Sequence, residues 1–273
     1  MQDYSKRLKQ QGKSIGLVPT MGYLHEGHLS LIRRSVKEND VTVASIFVNP
    51  AQFGPKEDFS RYPRDFRRDE GMLKAAGTDV IFYPNVNQMY PQPYYTYVDV
   101  EFLTGGLCGG SRPGHFRGVA TVVTKLFNIV KPDVSYFGQK DAQQAAVISK
   151  MAEDLNMDLK IVEMPIVREK DGLAMSSRNT YLSPSERRDA AVLYKSLILA
   201  KKLIRNRERS PAVIIKRMKE LINQKRSSKI DYIEIVDTGT LRSVKKIEGE
   251  VLIALAVYIG KTRLIDNMKL RVR

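Results

Sequence analysis

The sequence predicts an α/β fold: a parallel sheet covered by helices on both faces, followed by a smaller α+β domain. Three observations predict it. From residue 15 to residue 162, short apolar segments rich in β-branched residues alternate with stretches of helical spacing. The alternation stops after Val167, where Arg168-Glu-Lys-Asp-Gly172 forms a polar run ending in glycine, the composition of a hinge or linker. Beyond that run stand two helical stretches and three closing strand candidates. Residues 1–168 and 169–273 are therefore expected as two domains, the second near the small end of the domain size range.

The elements follow in order. Residues 15–19 are apolar and short, a first strand, and Leu29, Ile32 and Val36 mark one face of the helix after it. Residues 41–48 carry the β-branched run of a strand buried on both faces. Residues 63–76 read as a helix and 80–83 as a strand. Val119, Val122, Val123, Leu126 and Ile129 recur at helical spacing. Residues 134–137 are a strand, 141–155 a helix and 159–162 another strand. In the second domain, Ser183-Pro-Ser-Glu186 combines a capping hydroxyl, a proline suited to the first helical position and a reciprocal glutamate. Leu193, Leu197, Ala200 and Ile204 give the helix it opens an apolar face. A second helix follows Ser210-Pro211, and residues 230–236, 251–257 and 262–265 are strands.

Hydrophobic residues make up 42% and charged residues 27%, the balance of a water-soluble globular chain. No apolar run approaches the roughly 20 residues that a membrane-spanning helix needs. The polar first residues lack the apolar core of a signal peptide. A single cysteine, Cys108, excludes an internal disulfide and a cysteine-rich metal cluster. A cytoplasmic location is expected. The net charge of +15 divides into +3 over residues 1–170 and +12 over residues 171–273. Such a basic part can bind nucleic acid or form a solvated surface that attracts anionic substrates. Without an aromatic-rich or nucleic-acid motif beside it, the second reading is preferred. Neither nucleic acid nor a membrane is expected as a partner.

Three clusters carry chemistry. Pro19-Thr-Met-Gly-Tyr-Leu-His25-Glu-Gly-His28 follows the first strand and opens the first helix. Free N–H groups and the positive dipole end suit phosphate there, and Gly22 and Gly27 let the backbone approach a ligand. His25 and His28, three apart, face one side of a helical turn and can donate to a triphosphate; an ordinary surface pair has the same spacing. The spacing is not that of H-E-x-x-H zinc sites, whose histidines stand four apart. The second cluster, Phe137-Gly-Gln-Lys-Asp141 with Gln143 and Gln144, again joins a strand to a helix. Lys140 suits a phosphate and Asp141 a Mg²⁺ ion, although the two residues alone fit an exposed ion pair equally. The third, Met175-Ser-Ser-Arg178, offers two hydroxyls and a guanidinium for phosphate oxygens, or is a plain loop. Other nucleotide motifs fail. No G-x-G-x-x-G occurs, and Gly260-Lys-Thr262 has Leu255 where a P-loop needs glycine, so a hairpin turn is expected there.

Together the clusters resemble pantothenate synthetases, a family of the nucleotidyltransferase group that includes class I aminoacyl-tRNA synthetases. The resemblance runs in order through Pro19-Thr-Met-Gly22, His25-Glu-Gly-His28, Phe47-Val-Asn-Pro-Ala-Gln-Phe-Gly54 and Tyr62-Pro-Arg64. It continues through Arg112-Pro-Gly-His-Phe-Arg-Gly118, Lys125-Leu-Phe-Asn128, Phe137-Gly-Gln-Lys-Asp141, Gln143-Gln144, Asp171-Gly-Leu-Ala-Met-Ser-Ser-Arg-Asn179 and Tyr181-Leu-Ser183. Gln139 departs from the glutamate frequent in the family.

The resemblance implies a Rossmann-like parallel-sheet domain with a smaller C-terminal α+β lid domain, and a homodimer. It implies ATP contacts from Met21, Gly22, Tyr23, Leu24, His25, Glu26, Gly27, His28, Gly138, Gln139, Lys140, Asp141, Val167, Met175, Ser176, Ser177 and Arg178. Gln52 and Gln144 would bind pantoate, with Gln52 also near β-alanine, and His28 would be a proton donor. The implied reaction activates pantoate with ATP, accompanied by Mg²⁺ at Asp141, and joins it to β-alanine. The charge-stabilising groups would be His25, His28, Lys140, Ser176, Ser177 and Arg178. A nucleotidylyltransferase that keeps AMP on its product and a nucleic-acid-binding module are the competing readings.

Overall fold

The structure is a computed structural model and describes residues 1–55 and 57–272; Arg273, the last residue of the expected second domain, lies outside the described residues. Two compact units share the chain. The first comprises Met1–Phe102, Arg112–Gln139 and Gln144–Pro165; the second comprises Leu103–Ser111, Lys140–Gln143 and the chain from Ile166 onward.

The helices up to residue 154 are α1 (Gln2–Gln10), α2 (Glu26–Glu38), α3 (Phe66–Ala75), α4 (Val86–Met89), α5 (Leu107–Ser111), α6 (His115–Val130) and α7 (Ala142–Asp154). The first unit is built on β1 (Ile15–Thr20), β2 (Val41–Ile46), β3 (Val80–Phe82), β4 (Val134–Gly138) and β5 (Lys160–Met164). These strands pair in parallel in the order β3-β2-β1-β4-β5, the expected parallel sheet. Strand β2 is buried at all six positions, which is why no charged residue interrupts its mostly β-branched run. The core gathers Val18, Leu24, Ile32, Ala44, Leu73 and Tyr136. Chain order reverses between β1 and β4, and in open sheets of this kind ligands bind beyond the carboxyl ends at that reversal. Met21 follows one of those ends and Gln139 the other.

Two local expectations change. Helix α2 buries Leu31, Ile32 and Ser35, whereas Val36 is 39% exposed. The face turns because the Ser35 hydroxyl bonds that of Thr42 on β2 at 2.8 Å, so a polar residue is satisfied in the core. Helix α1 also forms over the polar first residues, where the sequence assigned no element.

In the second unit, β6 (Ser228–Asp237), β7 (Gly249–Ile259) and β8 (Thr262–Val272) form an antiparallel sheet in that order. Gly260, at φ +58°, turns β7 into β8, the expected hairpin. The single helix expected after Ser183 is two helices, α8 (Pro184–Ala190) and α9 (Val192–Arg205). At Ala191 ψ flattens to −16° and the turn tightens. The capping box is present: Ser183 N–H donates to Glu186 at 2.8 Å, and Glu186 N–H to the Ser183 hydroxyl at 3.3 Å. Leu193, Leu197, Ala200 and Ile204 pack with α10 (Pro211–Ile222) on the sheet. Among the described residues, no helix is long and apolar enough to cross a membrane.

Candidate active site

In the first unit, β1 ends at Thr20 and the chain turns through Met21–Leu24 into α2. The turn is held by a carboxylate from another helix. Asp69 on α3, 1% exposed, accepts the N–H groups of Tyr23 at 2.6 Å and Leu24 at 2.8 Å. Arg68 completes the brace: it donates to the Leu24 carbonyl at 2.8 Å and lies over the Tyr23 ring.

The two histidines of the motif come together, with ring centroids 4.1 Å apart. The N–H of Gly27 points at His25 Nδ1 (3.2 Å), and the N–H of His25 at His28 Nδ1 (3.3 Å). A backbone N–H only donates, so both Nδ1 atoms accept, and each ring carries its proton on Nε2. Helix α2 thus opens with a pair of imidazole N–H donors of fixed tautomer. Glycine at position 27 leaves room for this arrangement, since a Cβ there would lie 2.9 Å from the His25 ring and push it aside. Glu26, the first residue of α2, pairs with Arg33.

Gln52 ends a short 3₁₀ turn, Pro50–Gln52, after β2. Its side-chain nitrogen reaches Met21 Sδ at 3.2 Å, which joins it to the turn after β1, and its oxygen accepts Asn49 Nδ2 at 3.1 Å. Asn49 is 1% exposed and saturated: Nδ2 also donates to the Gly118 carbonyl at 3.1 Å, and Oδ1 accepts the Tyr90 hydroxyl at 2.8 Å. Gln144 lies in the first turn of α7 and is half-buried, while Gly138 ends β4 and Gln139 opens the short turn after it.

In the second unit, Val167 and Met175 meet. The Met175 N–H donates to the Val167 carbonyl at 3.0 Å, and Arg168 bridges Ala174 beside it. This hairpin-like loop delivers Ser176, whose hydroxyl accepts the Arg178 N–H at 3.3 Å and caps the 3₁₀ turn Ser177–Tyr181. Ser177 is buried. Lys140 is held through its carbonyl, which accepts Asn267 Nδ2 at 2.9 Å, and its ammonium lies 3.5 Å from Asp141. Gln143, next to Gln144 in sequence, serves the fold, because its side chain bonds the backbone of Leu103, Gly106 and Cys108. Among the described residues, no group of three or more His, Cys, Asp or Glu is gathered as a metal cage.

Sequence reasoning missed Asp69, Arg68, Asn49 and Tyr90. Asp69 had a signal: it stands between Phe66 and Leu73 at helical spacing, so a carboxylate occupies an otherwise apolar face.

Comparison with known proteins agrees across the chain. A family model described as pantoate-beta-alanine ligase matches residues 1–269. A pantothenate synthetase from Caldicellulosiruptor saccharolyticus is 60% identical over 272 residues, covering 100% of this chain and 97% of the relative. The crystal structure of pantothenate synthetase from Thermus thermophilus superposes with a TM-score of 0.92 at 44% identity, covering 97% of this chain and 96% of that one. A pantoate-beta-alanine ligase from Francisella tularensis, crystallised with beta-gamma ATP and beta-alanine, gives 0.81 at 35% identity, covering 97% and 94%.

Proposed function

Because the chain belongs to the pantoate–β-alanine ligase family, we propose that it activates pantoate with ATP as an acyl-adenylate and transfers the pantoyl group to β-alanine. In the first step the pantoate carboxylate attacks the α-phosphorus and pyrophosphate leaves. A carboxylate is already nucleophilic at neutral pH, so the barrier lies in bringing two anions together and stabilising charge on the phosphoryl oxygens. In the second step the β-alanine amine attacks the acyl carbon, AMP leaves, and the amine gives up its proton.

The observation that carries this reading is the histidine pair opening α2, two Nε2–H donors held at one tautomer by backbone groups. We assign His25 and His28 to the phosphates, with Met21–Leu24, Glu26, Gly27, Gly138 and Gln139 lining the nucleotide. His28 is also assigned as proton donor. From the second unit we assign Lys140, Ser176, Ser177 and Arg178 to the same charges, and Val167 and Met175 to the nucleotide. Mg²⁺ enters with ATP as part of the substrate. Asp141, a partly exposed carboxylate, suits one of the one or two protein carboxylates such an ion takes when phosphates supply the other ligands. Gln52 and Gln144 hold pantoate, Gln52 extends to β-alanine, and the second unit acts as a lid. A cytoplasmic homodimer completes the proposal; light scattering at twice the chain's mass would support it.

The test is ATP–pyrophosphate exchange with pantoate present and β-alanine absent. Loss of one preorganised donor costs about a hundredfold or more in rate. His28→Ala and Lys140→Ala are expected to lose exchange to that extent while keeping native circular dichroism. Near-normal exchange by folded Lys140→Ala removes Lys140 from the assignment. Product that retains AMP favours a nucleotidylyltransferase.

A further inference from the structure

Around Gln52, a chain of partly buried polar groups leads away from the proposed substrate contacts. Glu57 receives Arg112 through both oxygens, from Nε at 2.7 Å and from the second guanidinium nitrogen at 2.6 Å. The remaining guanidinium nitrogen lies 3.0 Å from His115 Nε2, and His115 Nδ1 lies 2.8 Å from the Gln52 carbonyl oxygen. His115 is 9% exposed, and the side chains of Arg112 and Glu57 are 16% and 26% exposed.

The proton positions follow from the partners. A guanidinium only donates, so Nε2 accepts; a carbonyl oxygen only accepts, so Nδ1 carries the hydrogen. His115 is therefore neutral with a fixed tautomer and donates to the Gln52 carbonyl, which also accepts a longer bond, at 3.4 Å, directly from Arg112. Burial alone would push the Glu57 carboxyl up, yet the Arg112 guanidinium holds it below its ordinary value, so the far end of the chain stays charged. A partly buried ion pair adds little net stability, because desolvation offsets the attraction. Holding a group in one geometry is the use that remains.

We propose that Glu57, Arg112 and His115 are positioning residues that fix the Gln52 carbonyl and so aim the Gln52 amide at substrate. The side chain of Gln52 is anchored separately, between Asn49 and Met21, so the relay sets the backbone from which the amide projects. None of the three touches the reacting atoms in this scheme; each acts through Gln52. The inference rests on the reading that Gln52 binds pantoate and β-alanine.

A double-mutant cycle with steady-state kinetics tests both separately. Gln52→Ala should raise the KM for pantoate and for β-alanine while leaving the KM for ATP in place. His115→Ala should lower kcat/KM for pantoate by about tenfold through KM, again with ATP unaffected. In the Gln52→Ala background, His115→Ala should add less than about twofold, because the group it positions is gone. His115→Asn, whose amide can donate to the Gln52 carbonyl, should recover part of the loss. Arg112→Lys, which keeps the charge without the fork, gives the same cycle if His115→Ala does not fold. Multiplicative effects of the two substitutions, or a loss shared with ATP, overturn the relay and leave Gln52 as a ligand. An unaltered Gln52→Ala enzyme overturns the Gln52 reading, and the relay's role falls with it.

Discussion

Gly118 and Ala51 are packed so closely that a Cβ on Gly118 would lie 2.1 Å from the Ala51 carbonyl oxygen, and also 2.6 Å from the Gln52 nitrogen. Helix α6 is thus seated directly on the turn that presents Gln52. In an ordinary helix interior, glycine to alanine stabilises by about 1 kcal/mol. Here the methyl group has no room, and the turn must move. Gly118→Ala is expected to lower stability by about 1–3 kcal/mol and to raise the KM for pantoate. Denaturant unfolding and initial-rate kinetics check the two halves. A stabilised protein with normal KM would show that α6 and the turn are not so tightly seated.

Asp69 gives a second prediction. Asp69→Ala leaves the N–H groups of Tyr23 and Leu24 without the acceptor that orients them. Each buried donor stranded in this way costs about 1–3 kcal/mol. The turn it releases leads directly into His25 and His28, so pantoate-dependent exchange should fall together with the unfolding midpoint. Asp69→Asn keeps one acceptor oxygen and should fall between the two. Equal exchange in wild type and Asp69→Ala would detach the brace from the site.

The features legible in sequence are those whose causes are local. Strand β2 shows because its burial is written into consecutive residues, mostly β-branched and none charged, and the Ser183 cap shows because its partner stands three residues on. The histidine pair shows for the same reason. The supports of the site do not. Asp69 reaches Tyr23 across 46 residues, and His115 reaches Gln52 across 63, so neither partnership leaves a spacing to read. Even the face of α2 is settled outside the helix, by the bond from Ser35 to Thr42 on β2.

Stability at acid pH should carry the signature of Asp171. Its carboxylate takes two hydrogen bonds from Arg187, at 2.6 and 3.0 Å, and these hold its pKa below the ordinary value. A carboxyl lowered in the folded state contributes fully above the unfolded pKa of about 3.9. That contribution is lost as pH falls through the lower folded value. Its side chain is 39% exposed, so solvent screening keeps the effect modest. Urea midpoints measured from pH 6 downward should therefore decline below about pH 4, and less steeply for Asp171→Asn. Parallel declines would assign the acid lability elsewhere.

Arg168 and Asp266 set the sharpest case. Asp266 is wholly buried at its side chain and takes the Arg168 guanidinium through both oxygens, at 2.6 and 2.9 Å. Arg168 also donates to the Gly172 carbonyl at 2.9 Å, so the same side chain ties the loop carrying Val167 and Met175 to strand β8. Burial pushes the Asp266 carboxyl up, with Arg168 pulling against it. Arg168→Ala removes that pull and leaves a buried carboxylate without its cation, at a cost of about 3–5 kcal/mol near neutral pH. A carboxyl raised in the folded state binds its proton more tightly there, so its stability is present at low pH and lost as pH rises through the folded value. Arg168→Ala should therefore recover part of its lost stability on moving from pH 7.5 to pH 5.5. The double variant Arg168→Met with Asp266→Leu, which replaces both charges with apolar volume, should be more stable at pH 7.5 than Arg168→Ala. If Arg168→Ala is instead equally destabilised at both pH values, and the double variant is no better, then the loss comes from the released loop and not from the stranded charge.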